Sequence, residues 1–446
     1  MLALAQIARP GLGEFLVSQK LQNKAPQDLH LLSAKDLAAV TEARDHGLYM
    51  LITPEFVAAS PSVTALREAN ARWSSTQGSG FAQSDFGKRV ASEYASGAGL
   101  LIAVNLEQIE TYHASMARPT RHDEMLQSTG FANLKYLIAQ RKDYDGKASN
   151  TAELSFNGSR SGIASWLAAP APIGALDFIT PNAAAVGAVV SKSPALMVDD
   201  LFAIVSRADP NGEATLAKQQ AELNLDLRND LAASLGGEAA LALDGPLLPT
   251  PSWKLIVEVY DPSRLQYSIG KLVDAVNRSA TENNRPGLKV DQQDVNGRAF
   301  YSIRSQDSLV PVEVHYTFAD GYLVAAASRG LVQESLRTRG KGDSISHSDN
   351  FRALFPSDQH ANVSGLIYQN LAPVITPIRS QISATQLQSI QTLVANTEPS
   401  VICAYGDENQ IELASNSKTL GIDLKTLAIS ALLEQLKPGT ARAHTP

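Results

Sequence analysis

The chain repeats itself. The stretch from Gly47 to Ile163 recurs, with small gaps, from Gly321 to Ile422. Self-similarity over that length marks duplication of a whole domain rather than a stack of small supersecondary units. Two related α+β units are therefore expected, each an antiparallel sheet packed against helices. Residues 1–167 would form the first unit and residues 168–446 the second, more complete one.

Four anchors carry the repeat. Gly47-Leu48-Tyr49-Met50-Leu51-Ile52 pairs with Gly321-Tyr322-Leu323-Val324-Ala325-Ala326, each a glycine turn followed by an apolar strand. Ser84-Asp85-Phe86 pairs with Ser348-Asp349-Asn350-Phe351, and a Ser-Asp step suits a helix N-cap. Gly99-Leu100-Leu101-Ile102 pairs with Gly365-Leu366-Ile367-Tyr368, a strand running into a helix. Phe131, Leu134, Leu137 and Ile138 share their spacing with Leu387, Ile390, Leu393 and Val394, and each set predicts one apolar stripe on a helix. Glu153-Leu154 then matches Glu412-Leu413 in a following strand, and Asn157 matches Asn416.

The copies differ in what precedes them. A long α+β stretch beginning at Gly174-Ala175-Leu176-Asp177-Phe178 leads into the second, whereas only residues 1–46 precede the first. The chain is expected to start inside a domain. A truncated half-domain would leave residues 1–44 poorly packed or lying against the second unit.

Punctuation supplies the remaining organisation. Leu167-Ala168-Ala169-Pro170-Ala171-Pro172 is the expected boundary between units. Residues 182–235 are rich in Ala and Leu and predict two or more helices. Lys254–Tyr260 predicts a strand, and Asp261-Pro262 predicts a capped helix start with proline at its first position. Leu265, Ile269, Leu272, Val273 and Val276 share one face of that helix. Strands follow at 288–290, 299–303, 312–318 and 322–327, with Asn296-Gly297 as a hairpin turn. Short connections between strands favour an antiparallel sheet.

The strand Val257-Glu258-Val259-Tyr260-Asp261-Pro262, the Gly321-Tyr322-Leu323-Val324 strand, the Ser348–Phe351 step and Ser364-Gly365-Leu366-Ile367-Tyr368 resemble an uncharacterised bacterial family, the domain of unknown function numbered 3352. The resemblance is best over residues 174–375. It implies a cell-envelope location, because such domains often follow a signal or membrane anchor. It implies no activity, so no catalytic residue carries over.

Composition narrows the function classes. A net charge of −7 with no block of like charges argues against nucleic acid as a partner. No apolar run approaches the roughly eighteen residues of a transmembrane helix. The N-terminus lacks the basic region of a signal peptide, which points to the cytoplasm if Met1 is the true start. The single cysteine, Cys403, sits in an apolar run and is expected to be a buried strand residue.

Motifs with catalytic overtones fail on spacing. Ser415-Asn416-Ser417-Lys418 and Ser348-Asp349-Asn350 are similar to two motifs of serine penicillin-recognising enzymes, but their order is reversed and the Lys-Thr-Gly strand is missing. Gly158-Ser159-Arg160-Ser161-Gly162 holds arginine where a nucleophile elbow needs serine, and reads as a turn. Gly11-Leu12-Gly13 lacks the third glycine of a dinucleotide fingerprint. His113 and His122 lie in a polar stretch without metal-ligand spacing, and His315 reads as structural. Arg141-Lys142-Asp143 reads as a solvated helix end. Asp199, Asp200 and Asp261 could supply carboxylates, but Asp199 reads as a helix-face residue and Asp261 as a cap. No catalytic, cofactor-binding or metal-ligating residue is therefore assigned, and no cofactor is expected. The expected function is binding or scaffolding, with a protein or an apolar ligand as partner. The alternatives are a hydrolase whose site is assembled from distant residues, and a carrier of an apolar ligand.

Overall fold

The computed structural model describes residues 3–6, 29–40, 47–53, 56–74, 80–116, 127–144, 147–246, 250–305, 313–356, 360–370 and 398–417. It divides into two compact units, Met1–Ser92 and Glu93–Pro446. The fold class is α+β, as the short connections between consecutive strands predict.

In the first unit, β1 (Ala3–Gln6), β2 (Leu29–Ser33), β3 (Leu48–Ile52) and β4 (Phe56–Ser60) form a sheet of order β1-β4-β3-β2. Helix α1 (Ala34–Ala39) opens with a capping box, in which the Ser33 side chain accepts from the Asp36 amide and the Asp36 carboxylate from the Ser33 amide. Leu32 and Leu37 join Tyr49, Leu51, Phe56 and Leu66, the last from α2 (Val63–Ser74), in a closed core. Leu32 and Leu37 are buried in this unit's own core while most other side chains of residues 29–40 are exposed, and residues 7–28 and 41–44 of the stretch expected to be loose lie outside the described residues. The same sheet shows why: alternation in β2 turns Leu32 inward, and α1 brings Leu37 over it. Short α3 (Gly80–Gln83) leads to α4 (Asp85–Ala95), where the Ser84 hydroxyl accepts from the Gly87 amide at 3.0 Å, the cap that the Ser-Asp step announces.

The second unit is built on one large sheet. Its strands, in chain order, are β5 (Leu100–Asn105), β6 (Leu134–Tyr144), β7 (Lys147–Phe156), β8 (Ala185–Val190), β9 (Leu235–Leu243), β10 (Trp253–Val259), β11 (Leu288–Val295), β12 (Arg298–Ser305), β13 (Glu313–Ala319), β14 (Tyr322–Ala326), β15 (Gly365–Gln369), β16 (Ser400–Gly406) and β17 (Gln410–Ser415). The sheet order is β11-β12-β13-β14-β10-β9-β8-β15-β16-β17-β7-β6-β5. Its helices are α5 (Leu106–Met116), α6 (Pro194–Ala208), α7 (Gly212–Leu223), α8 (Pro262–Glu282), α9 (Arg329–Lys341) and α10 (Asp349–Arg352). Leu167–Pro172, the expected boundary, lies inside this unit, where Leu167 bridges Ser191 and Ala171 bridges Val363.

Much of the local reading holds. Asn296 and Gly297 take φ of 55° and 76° between β11 and β12, and Asp320 and Gly321 take 52° and 82° between β13 and β14. These are the left-handed conformations that two-residue hairpins need. Asp261 caps α8, accepting from the Arg264 amide at 2.9 Å with Pro262 next to it. Cys403 is fully buried in β16.

Three readings are corrected. Leu134, Leu137 and Ile138 lie on strand β6, with Phe131 in the 3-10 turn before it, rather than on one helix. Pairing on both sides, with β5 and β7, overrides the helical spacing, which a short apolar run satisfies equally well. Arg141-Lys142-Asp143 is accordingly strand, with the Arg141 guanidinium paired to Asp143 at 2.9 Å, and is no helix end. Within 182–235, helices α6 and α7 appear as expected, but β8 and the start of β9 do too. Their Ala- and Gly-rich sequences carry weak strand signals, yet small residues are what fit central strands crowded on one face. The matching stripe Leu387, Ile390, Leu393 and Val394, the repeat end Gly421-Ile422, Lys418 and Gly11-Leu12-Gly13 lie outside the described residues.

One face of the large sheet carries the core. Val186, Ala240, Ile256, Val324, Leu366 and Cys403 are buried there beneath the 3-10 turn Gly174–Phe178, with Val332 of α9 and Phe351 of α10. The opposite face is partly open. Leu241, Gly187 and Ile367 stand directly opposite one another across β9, β8 and β15, with Leu241 56% and Ile367 62% exposed.

Candidate functional site

The core side of the sheet ends in a cavity of about 520 Å³. Three segments distant in sequence build it: the Gly174–Phe178 turn, the 3-10 turn Ile345–His347 with α10, and the entry to β15. Its apolar wall comes from Ile173, Leu176, Phe351, Phe355, Val363 and Leu366. Asp177, Ser346, His347, Arg352 and Asn362 supply the polar lining.

The first segment is held from below. Gly174 approaches the sheet so closely that a Cβ there would meet the Tyr322 hydroxyl at 2.5 Å. The Ala175 amide and the Tyr322 hydroxyl both donate to Glu238, at 3.2 and 2.9 Å. Burial, reinforced by the Glu238 carboxylate, pushes the Tyr322 hydroxyl well above the usual tyrosine range. Phe178 packs edge-on against Tyr322, and the Arg339 guanidinium lies 4.6 Å from the Phe178 ring centre and 5.3 Å from that of Tyr322. Arg339 also pairs with Asp320 at 3.3 Å and reaches Asp177 at 3.8 Å. One cation from α9 thus ties the turn to the sheet.

The cavity brings together serine, histidine and aspartate. The Ser346 hydroxyl donates to Asp177 at 2.6 Å and contacts His347 Nδ1 at 3.2 Å. The Ser344 hydroxyl contacts the same Nδ1 at 2.9 Å. A hydrolytic relay needs the carboxylate on one imidazole nitrogen and the nucleophile on the other. Here both hydroxyls converge on one nitrogen, and the carboxylate holds a serine instead of the ring. The arrangement fixes the turn in place and lacks the connectivity of a triad. None of Ser344, Ser346 and His347 stands out in the sequence. The polar run Ser344-Ile345-Ser346-His347 is the one available signal, and it has no motif spacing.

The residues weighed from sequence fall elsewhere. Ser348 occupies the N-cap position of α10, although its side chain makes no capping hydrogen bond. Ser415 is buried at the end of β17, and the Asn416 amide donates to the Phe355 carbonyl at 2.8 Å. Arg160 donates to the carbonyls of Ala164, Leu167 and Asp407, which confirms the Asn157–Ser161 run as a braced turn. Asp199 sits on α6 and pairs with Arg228 at 2.7 Å. Asp200 accepts from Lys192 and from the Trp166 indole, at 2.5 and 2.8 Å. Lys192 also donates to Ser165 at 2.9 Å, so this serine–lysine contact braces the start of α6. His315 pairs with Glu313 on β13 at 2.7 Å. His122, and the side chain of His113, lie outside the described residues. Among the described residues no three His, Cys, Asp or Glu side chains gather as metal ligands, and no helix is long and apolar enough to cross a membrane.

The fold and the cavity define an α+β protein whose assembled polar groups hold a lined pocket. Residues 207–415 match the family described as protein of unknown function (DUF3352). No curated protein and no solved structure matches the chain.

Proposed function

We propose that the protein is a non-catalytic binding or scaffolding module of the bacterial cell envelope. The observation that carries this reading is the wiring of the cavity. Its serines, histidine and aspartate are spent on one another in an order that supplies no activated nucleophile, while apolar side chains at the edge of the core, Phe355 the most accessible of them, line the same cavity. The family resemblance supports the envelope location. Fractionation of cells carrying the native gene tests that part, and a cytoplasmic pool would reject it.

A serine-directed fluorophosphonate probe tests the non-catalytic reading. Labelling of Ser344 or Ser346, or ester, peptide or glycoside turnover that survives purification, would favour a hydrolase instead. The open row Leu241–Gly187–Ile367 favours a second, compatible reading in which the sheet face docks a protein.

We also propose that the two halves arose by duplication. Outward from the β7–β17 pairing, where Glu153 faces Glu412, the order β7-β6-β5 matches β17-β16-β15. Superposing residues 45–167 on 319–427 tests this, and strands and helices that do not overlay in order would refute it.

A further inference from the structure

We infer that the cavity beside α10 takes a small monocarboxylate with an apolar body, its carboxylate held by Arg352. This rests on the binding reading above and names the ligand class.

Charge decides the head group. Asp177 is already engaged by the Ser346 hydroxyl at 2.6 Å and by Arg339 at 3.8 Å, so it has little to offer a cationic ligand. Arg339 is consumed in turn by Asp320 and its two aromatic neighbours. Arg352 differs. Its Nε donates to the Ser346 carbonyl at 2.8 Å, which fixes the plane of the guanidinium at the cavity. Among the described residues that Nε donation is the guanidinium's one hydrogen bond, and no carboxylate among them pairs with it. A guanidinium held by one nitrogen with its fork open is the geometry that receives a carboxylate bidentately. His347 and Asn362 flank it in the lining and are exposed.

Shape decides the body. Phe351, Phe355, Val363 and Leu366 line the apolar side of the same cavity as that cation, the first, third and fourth nearly buried and Phe355 partly exposed. A volume of about 520 Å³ lies inside the range of small-molecule sites. An alkyl or aryl chain of medium length would bury against this wall, and a diffuse polar ligand would leave it wet.

Titration calorimetry of the full chain with octanoate, octanol and octylamine tests the inference. Octanoate is expected to bind at least about tenfold more tightly than octanol, with octylamine weakest, because a charged hydrogen-bonded pair distinguishes them. Arg352→Gln should erase the preference for octanoate and leave octanol affinity unchanged. Arg352→Lys should retain part of it, since charge survives without the fork. Thermal unfolding of both variants close to that of the parent shows that exposed Arg352 acts on the ligand and not on the fold. Equal affinity for octanoate and octanol, or a preference that survives Arg352→Gln, overturns the inference. Binding of an apolar peptide through its free C-terminus, with no binding of octanoate, does so as well. None of these results requires a hydrolase, so the binding reading stands or falls separately on the fluorophosphonate experiment.

Discussion

Lys254 donates to Asp244 at 2.7 Å with both side chains withdrawn from solvent, at 0% and 3% exposure. The lysine points from β10 into the core side of the sheet and reaches Glu334 of α9 at 2.9 Å as well. Asp244 also accepts from the Thr180 amide and hydroxyl, at 2.8 and 2.5 Å. Removing one partner strands the other, so Lys254→Met should cost about 3–5 kcal/mol of unfolding free energy. Lys254→Met with Asp244→Leu should recover part of that loss, but not all, because Thr180 is then left with unpaired donors. Urea unfolding of the three proteins checks the order, and a double variant less stable than the single one would refute it.

Arg339 welds the floor of the cavity through stacking rather than charge alone. Arg339→Lys keeps the charge but loses the planar contact with Phe178 and Tyr322, and should cost about 1–2 kcal/mol. The same substitution should loosen the Gly174–Phe178 turn, read as faster amide exchange at Ala175 and Leu176. An unchanged exchange rate would show that the turn holds without it.

Tyr322 gives the fold a sensitivity to alkali. Its hydroxyl has a raised folded-state pKa, from burial first and the Glu238 carboxylate second, against an ordinary 10.0. The native state therefore keeps its proton where the unfolded state loses it. The contribution is complete below pH 10 and falls as pH rises further. Tyr316 and Tyr368 shift in the same direction by burial and add to the slope. Tyr322→Phe should flatten the alkaline limb of the stability profile, and a profile of unchanged steepness above pH 10 would contradict the assignment.

The hairpin at Asn296-Gly297 tests backbone conformation in isolation. A Cβ on Gly297 meets nothing within 4 Å, so the cost of substitution is conformational. Gly297→Val should destabilise by about 1–2 kcal/mol at its φ of 76°. A neutral result would mean that the turn relaxes to another type.

What the sequence determined by itself is local. The Asn-Gly and Asp-Gly turns, the Asp261-Pro262 start of α8, the Ser84 cap and the burial of Cys403 all follow from a few neighbouring residues, because turn and cap chemistry is short-ranged. The tertiary structure decided the rest. Strand β6 satisfies a helical spacing and became a strand when β5 and β7 closed on it. Strands β8 and β9 have small residues and little intrinsic preference, so their place in the sheet comes from their neighbours. The cavity was illegible for the same reason. Ser346 and Asp177 lie 169 residues apart, and Arg352 gains its meaning from an apolar wall contributed by three separate segments. Pairing across such distances is fixed by how the whole sheet assembles, and no window of sequence contains it.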